Sequence, residues 1–269
     1  MSNINIFLLA FIQGFTEFLP VSSSGHLVLF AKYFSSFDQG QAIDIALHIG
    51  SLIAVVLYFF ATIKEMLIAL WEQRFKPNFE IYGVRLAYLI VIATIPAIVI
   101  GGCLSYFGTD WTRNTKLVAY LLILYSLLLW YADTSYDDKK TLQNINIKDA
   151  LLIGLAQSLA FMPGTSRSGI TITMGRILGY KRSDAAKFSM LLSIPSILAA
   201  GVVASIGLYQ TEDVTQWILG GKAIILSFVF SFIAILFMMK WLRTKTFLPF
   251  VIYRIILGIA LLLDAYGII

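Results

Sequence analysis

Gln13 and Glu17 stand four residues apart near the start of the chain, and Pro20, Ser22, Ser23, Ser24, Gly25 and His26 follow at once. On a helix that spacing sets the amide and the carboxylate on one face, and the proline then ends or bends the helix. A carboxylate held at membrane depth is costly and marks a functional site by default. The plainer alternative is that Glu17 lies at a solvated interface and the serines only cap a helix. A second polar run reads Pro163-Gly164-Thr165-Ser166-Arg167-Ser168-Gly169-Ile170-Thr171. Small residues and hydroxyls around one arginine, where a helix opens, make an anion cradle in which backbone N–H groups and the positive helix end point at the ligand. Arg167 adds a planar, permanently charged fork that matches phosphate oxygens. Its alternatives are to snorkel to the surface or to pair with Glu17, and pairing does not exclude phosphate.

The elements that must hold these residues are set by composition. Of 269 residues, 59% are hydrophobic and 13% charged, and the mean hydropathy is +0.83. Soluble domains carry about 25% charged residues, so an ordinary cytoplasmic domain and a disordered chain are excluded. The net charge of +5 comes from short basic clusters between long apolar runs, a membrane-topology pattern and not a nucleic-acid patch. One cysteine, Cys103, leaves no internal disulfide or cysteine metal cluster. The first apolar stretch, Ile6 to Ile12, lacks a basic flank and runs into Gln13, so it is not expected to be a cleavable signal.

A spanning helix needs about 20 apolar residues. Six stretches qualify: roughly 42–63, 82–106, 116–133, 185–207, 217–240 and 247–267. Two others, about 4–33 and 149–178, are broken mid-way by Pro, Gly and hydroxyl residues, and these carry the two polar runs. Four loops rich in Lys and Arg should face the cytoplasm. They are flanked by Lys64, Arg74, Lys76 and Arg85; by Lys139, Lys140 and Lys148; by Arg176, Lys181, Arg182 and Lys187; and by Lys240, Arg243, Lys245 and Arg254. Both broken segments then begin and end on one side, as re-entrant hairpins entering from opposite faces. Non-helical backbone at that depth is tolerated only where protein or a watery cavity satisfies it. The halves also align at an offset of 144, Phe7–Gln13 with Leu151–Gln157 and Ser22–Gly25 with Ser166–Gly169. The expected fold is therefore an all-α polytopic membrane protein, a single membrane domain over 1–269. It has about six full transmembrane helices plus two re-entrant helical hairpins, in an inverted-topology repeat of about 1–135 and 147–269. Such repeats place sites where broken helices meet.

The paired motifs, together with Ala185-Ala-Lys-Phe-Ser189-Met-Leu-Leu-Ser-Ile-Pro195, resemble the undecaprenyl-diphosphatase, or bacitracin-resistance, family across essentially the whole chain. The resemblance implies hydrolysis of undecaprenyl diphosphate to undecaprenyl phosphate and inorganic phosphate. That reaction recycles the lipid carrier for cell-wall synthesis and gives bacitracin resistance. It also implies a bacterial inner (plasma) membrane location, a site open toward the periplasm, and a divalent cation, Mg²⁺ or Ca²⁺. The expected partners are a polyprenyl diphosphate lipid and the surrounding membrane lipids, with no nucleic acid; a homodimer is a further option.

Carried over through that resemblance, the catalytic residues are Glu17, Ser23, His26 and Arg167. Glu17 is also the metal ligand, Ser23 the favoured nucleophile with a metal-activated water as its competitor, and His26 a base or proton donor. Gln13, Ser22, Ser24, Gly164, Thr165, Ser166, Ser168 and Thr171 are expected to line the substrate. Many members carry glutamate where this chain has Gln13, and a neutral amide weakens that position as a charged ligand. Asp44 and His48, again four apart, extend the site or merely cap a span. The rival class is a lipid-phosphate transporter or flippase, which shares the inverted-repeat architecture.

Overall fold

The apolar runs become helices because a membrane supplies no partner for backbone N–H and C=O groups other than the chain itself. The computed structural model describes residues 3–23, 25, 26, 29, 40–105, 114–136, 138–206 and 214–268. In chain order they form α1 (Asn3–Phe18), α2 (Gln41–Tyr58), α3 (Phe60–Glu72), α4 (Tyr82–Ser105), α5 (Thr115–Ser135), α6 (Ile147–Ser158), α7 (Arg167–Ile177), α8 (Arg182–Ile206), α9 (Val214–Trp241) and α10 (Leu248–Ala265). Among the described residues there is no β-strand, only one isolated bridge between Lys140 and Tyr180. Five helices, α4, α5, α8, α9 and α10, are long and apolar enough to cross a bilayer, and the bent pair α2–α3 makes a sixth candidate. Large apolar side chains such as Val229, Ile233 and Phe237 of α9 and Ile252, Ile256 and Ile259 of α10 point outward. In water that surface would aggregate; in lipid it is the solvent-facing surface. The chain is a multi-pass membrane protein.

The expected span over 42–63 is corrected. The helix bends by 73° at Phe59 (φ −95°, ψ 18°), and α3 runs on to Glu72 with no buried residue. The apolar run continues well past the length a bilayer needs. Its excess carries Lys64, Glu65 and Glu72 beside exposed Leu67, Ile68 and Trp71, the mixture of an interfacial helix.

Packing crosses between the two parts of the chain. The short helix α1 lies on α9, and the short helix α6 lies on α4. Both approaches are close enough to demand glycine. A Cβ on Gly14 would stand 2.5 Å from Phe230 Cβ, and one on Gly154 would stand 2.3 Å from the Ala93 carbonyl oxygen. Small residues at such crossings let helices gain dispersion contact that lipid otherwise satisfies. Between α2 and α9, Ser231 donates to Ser51 at 2.9 Å, Ser51 and Ser227 are 3.2 Å apart, and Ser227 donates to the Leu47 carbonyl at 2.7 Å.

The basic residues assigned to loops are also partly corrected. Arg176 is 1% exposed and closes α7 by donating through Nε to Asp133 at 3.1 Å, with Asp138 as a second partner. Arg182 donates to the same Asp133 oxygen at 2.7 Å, and the Phe247 amide to the other at 3.1 Å. One carboxylate thereby gathers the ends of α5, α7, α8 and α10. Nearby, burial and a 2.6 Å hydrogen bond to the Asp149 carboxylate push the Tyr180 phenol above its usual range. Arg254 lies two turns into α10 and is fully buried. Its side chain belongs to the site.

Candidate active site

Both broken segments end in the same kind of turn. After α1 the chain folds through Leu19-Pro20-Val21 and Ser22 adopts φ 77°. Its Oγ then accepts from the Gly25 amide at 3.4 Å. After α6 a short 3₁₀ turn, Leu159–Phe161, leads to Gly164 at φ 82° and Ser166 at φ 70°. Ser166 Oγ accepts from the Gly169 amide at 3.1 Å, capping α7. Positive φ in a non-glycine residue is uncommon and gathers at functional sites, where surrounding contacts hold it. At Gly164 those contacts are tight, since a Cβ there would meet the Val118 carbonyl oxygen at 2.6 Å.

Arg254 ties the two turns together. Nη1 donates to the Pro20 carbonyl at 3.3 Å, and Nη2 to the carbonyls of Gly164 and Thr165 at 3.1 and 3.0 Å. Ser168 Oγ adds a bond to the Leu19 carbonyl at 3.0 Å. The carbonyls of Pro20, Gly164 and Thr165 lack helical partners because neither turn is helical, so the guanidinium replaces the helix hydrogen bonds that the breaks removed.

At the junction sits Glu17, buried at the C-terminal end of α1. Oε1 accepts from Arg167 Nη2 at 2.8 Å. Oε2 accepts from Ser23 Oγ at 2.8 Å and from Gln13 Nε2 at 3.0 Å, and His48 Nε2 lies 3.8 Å away. Arg167 is anchored in turn by the Ser189 carbonyl at 3.2 Å. Thr171 Oγ1 and Ser189 Oγ lie 2.7 Å apart below it. A buried pair stripped of one partner leaves an uncompensated charge, a loss of about 3–5 kcal/mol. Geometry makes Glu17 the only carboxylate among the described residues within hydrogen-bond reach of Ser23 Oγ, so it can take that proton.

The expected site residues fall into three groups. Gln13, Glu17, Ser23 and Arg167 meet directly, as the bonds above show. Ser22, Gly164, Thr165, Ser166, Ser168 and Thr171 are nearby, but all are buried and most are spent on the frame; Ser166 and Ser168 bond each other at 3.2 Å. His26 stands apart from Ser23's partner. Its Nδ1 donates to the Ser22 carbonyl at 2.7 Å, and in the neutral ring Nε2 then accepts from the Tyr253 hydroxyl at 2.6 Å, with the two rings stacked. The expectation for Ser24 lies outside the described residues.

Two residues enter that the motifs did not supply, Tyr253 and Arg254. The available signal was an arginine inside the 247–267 apolar run, with apolar neighbours on both sides.

A cation would find oxygen here, but few carboxylates. Among the described residues no three His, Cys, Asp or Glu side chains gather. Gln13 Oε1 is buried without a hydrogen-bond partner, and its amide adjoins the Glu17 carboxylate. Hard cations take such oxygens, one or two from protein and the rest from phosphates and water. The residues fit the group.

A hydroxyl bonded to a buried carboxylate, faced by a guanidinium and framed by two broken helical segments of a multi-pass membrane protein, suits an integral-membrane phosphoryl-transfer enzyme. The chain belongs to the family described as Bacitracin resistance protein BacA, whose model matches residues 6–260. It is 44% identical over 268 residues to a protein of Ruegeria pomeroyi named undecaprenyl-diphosphatase, covering 99% of this chain and 100% of that protein. Proteins of the same name from Jannaschia sp. (43% over 268 residues; 99% and 100%) and Alteromonas mediterranea (44% over 264 residues; 97% and 98%) are similar to it as well.

Proposed function

We propose that this chain hydrolyses undecaprenyl diphosphate to undecaprenyl phosphate and inorganic phosphate, and so returns the lipid carrier to cell-wall synthesis and confers bacitracin resistance. The observation that carries the chemistry is the shared carboxylate: Ser23 donates to one oxygen of Glu17 while Arg167 bonds the other, both at 2.8 Å.

In the proposed sequence Glu17 takes the Ser23 proton, and Oγ attacks the terminal phosphorus. The bond from that phosphorus to the bridging oxygen breaks, releasing undecaprenyl phosphate and leaving a phosphoserine. Glu17 releases that proton to solvent, then takes one from the water that attacks the phosphoserine and returns it to Ser23 Oγ as inorganic phosphate leaves, which restores the hydroxyl. Serine is a weak nucleophile until a base acts on it, which is why the 2.8 Å contact matters. Phosphoryl transfer asks the protein mainly for positioning and for stabilising charge on the equatorial oxygens. Arg167, held between Glu17 and the Ser189 carbonyl, would turn its fork to those oxygens, and the amides opening α7 supply further donors. A proton taken up from solvent at Nε2, in place of the hydrogen bond from the Tyr253 hydroxyl, would let His26 give a proton to the departing phosphate oxygen. Glu17 and Gln13 would hold Mg²⁺ or Ca²⁺, which when bound neutralises diphosphate charge.

The setting we propose is the bacterial inner membrane. The two halves, about 1–135 and 147–269 of one membrane domain, are related by inversion, the site opens to the periplasm, and both hairpins are re-entrant. The basic clusters at Lys139–Lys148 and Lys181–Arg182 and the exchanged packing of α1 and α6 support this reading. A cysteine at Lys140 labelled from the periplasm would overturn the orientation. The function is tested by incubating the purified protein in detergent with a prenyl diphosphate, with and without chelator. Phosphate release that chelator suppresses is expected; no release, with the lipid bound intact, would refute hydrolysis.

A further inference from the structure

Only two histidines occur in the chain, His26 and His48. Both His26 nitrogens are taken, by the Ser22 carbonyl and the Tyr253 hydroxyl. His48 is arranged differently. Its Nδ1 lies 2.7 Å from the Asp44 carbonyl oxygen, which can only accept, so Nδ1 carries a hydrogen. In the neutral ring Nε2 then presents its lone pair to Glu17 Oε2 at 3.8 Å. Two electron-rich atoms facing each other without a hydrogen between them repel, and a cation placed between them reverses the sign. A ring held by its other N–H against a backbone carbonyl is also how metal-ligating histidines are oriented.

An independent observation lies on the other flank of the same oxygen. Gln13 Nε2 donates to Glu17 Oε2 at 3.0 Å, yet Oε1 of the same amide is fully buried with no hydrogen-bond partner. Turning the amide over would bring its oxygen against a carboxylate, so the orphan is a consequence of the favourable arrangement. A buried acceptor without a donor has the chemistry of a cation ligand.

We infer that His48 Nε2, Glu17 Oε2 and Gln13 Oε1 form a mixed nitrogen–oxygen site for one divalent cation, loaded in the free protein and completed by diphosphate oxygens when substrate arrives. The inference rests on the phosphatase reading for its purpose, though not for its geometry. The imidazole supplies a ligating side chain beside the neutral amide of Gln13, where a second carboxylate is absent. It also shifts the preference: a nitrogen ligand favours a first-row transition cation such as Mn²⁺ over Ca²⁺, which takes oxygen alone.

The test uses the full chain in detergent with Mn²⁺ and no substrate, and reads free Mn²⁺ by electron paramagnetic resonance and ligand nitrogen by pulsed echo modulation. The wild-type protein should bind one Mn²⁺ and show imidazole nitrogen modulation. His48→Gln should lose the modulation and weaken Mn²⁺ binding about 10-fold, while His26→Gln should bind Mn²⁺ with the modulation unchanged. Because the chain has two imidazoles, the wild-type and His26→Gln spectra decide the matter even if His48→Gln fails to fold. No bound Mn²⁺ at millimolar metal, bound Mn²⁺ without imidazole modulation, or modulation that disappears in His26→Gln would each overturn the site. Phosphate release measured on the same preparation keeps the two readings apart: an intact imidazole signal without release counts against the hydrolase and leaves the metal site standing.

Discussion

The turn after α1 and the turn after α6 are built alike and equipped differently. In each, a serine at positive φ caps the following helix through the amide three residues on, Ser22 to Gly25 and Ser166 to Gly169. The next residue along is Ser23 in one and Arg167 in the other, and both reach Glu17, from opposite oxygens. Equal backbones therefore deliver a hydroxyl and a guanidinium to one carboxylate from two sides. The helices feeding the turns differ in the same way. Gln13 bonds Glu17, whereas Gln157, 144 residues later, accepts from Ser196 at 3.2 Å. Phe161 stands where a second acid would be and packs over Gly101, leaving a Cβ only 2.5 Å there. One turn has kept chemistry and the other holds charge and shape, which spares the site a second buried carboxylate that would repel the first.

The comparison breaks hardest at Ser23. Ser23→Ala should bring phosphate release below detection with lipid binding retained, measured by release and by equilibrium binding; substantial turnover would hand the attack to water. Next, Glu17→Gln removes the atom pair both turns address, and turnover should fall by roughly 10²–10⁴; near-wild-type turnover in well-extracted protein would make the carboxylate structural. On the other turn, Arg167→Lys keeps the charge and loses the fork. A drop of about 10- to 100-fold is expected, on the scale of 1.36 kcal/mol for each tenfold, and unchanged kinetics would mean the arginine merely balances Glu17. Smaller still are the caps. Ser22→Ala and Ser166→Ala should each lower stability by about 1 kcal/mol, read as matched shifts in thermal unfolding in detergent; a shift at only one would show that the turns are not equivalent. Smallest is Gln13→Glu, which should keep turnover while tightening cation binding, seen as a lower cation concentration for half-maximal release.

Much of this was legible in the sequence, and the limits have physical causes. Glu17 and Arg167 could be paired on paper because each is an ion in a broken apolar segment, and such ions need one another. The breaks themselves were marked by Pro, Gly and hydroxyl runs. Arg254 was misplaced because charge near the end of an apolar run is ordinarily topological, and its true partners are carbonyls of Pro20, Gly164 and Thr165 that exist only once both turns have formed. His26 was grouped with Ser23 through the family resemblance, and nothing in the sequence announces that its ring is held by Tyr253, 227 residues away. The bend at Phe59 has no Pro or Gly to announce it, and the apolar run alone cannot say where a span stops and an interfacial helix begins. His48, flagged by spacing from Asp44, sits against Glu17 after all.

The resting of α1 on α9 sets an order of events during synthesis. Gly14 meets Phe230, 216 residues later in the chain. At roughly 5–20 residues per second the ribosome takes about 10–40 s to make that distance. Through that interval the helix bearing Gln13 and Glu17 can lie against α2 but lacks the α9 wall, and Arg167, which bonds the acid, also emerges late. The helix that carries Glu17 thus completes its packing only after the α9 segment has been made, and whatever shelters it in the meantime must tolerate an acidic face beside lipid.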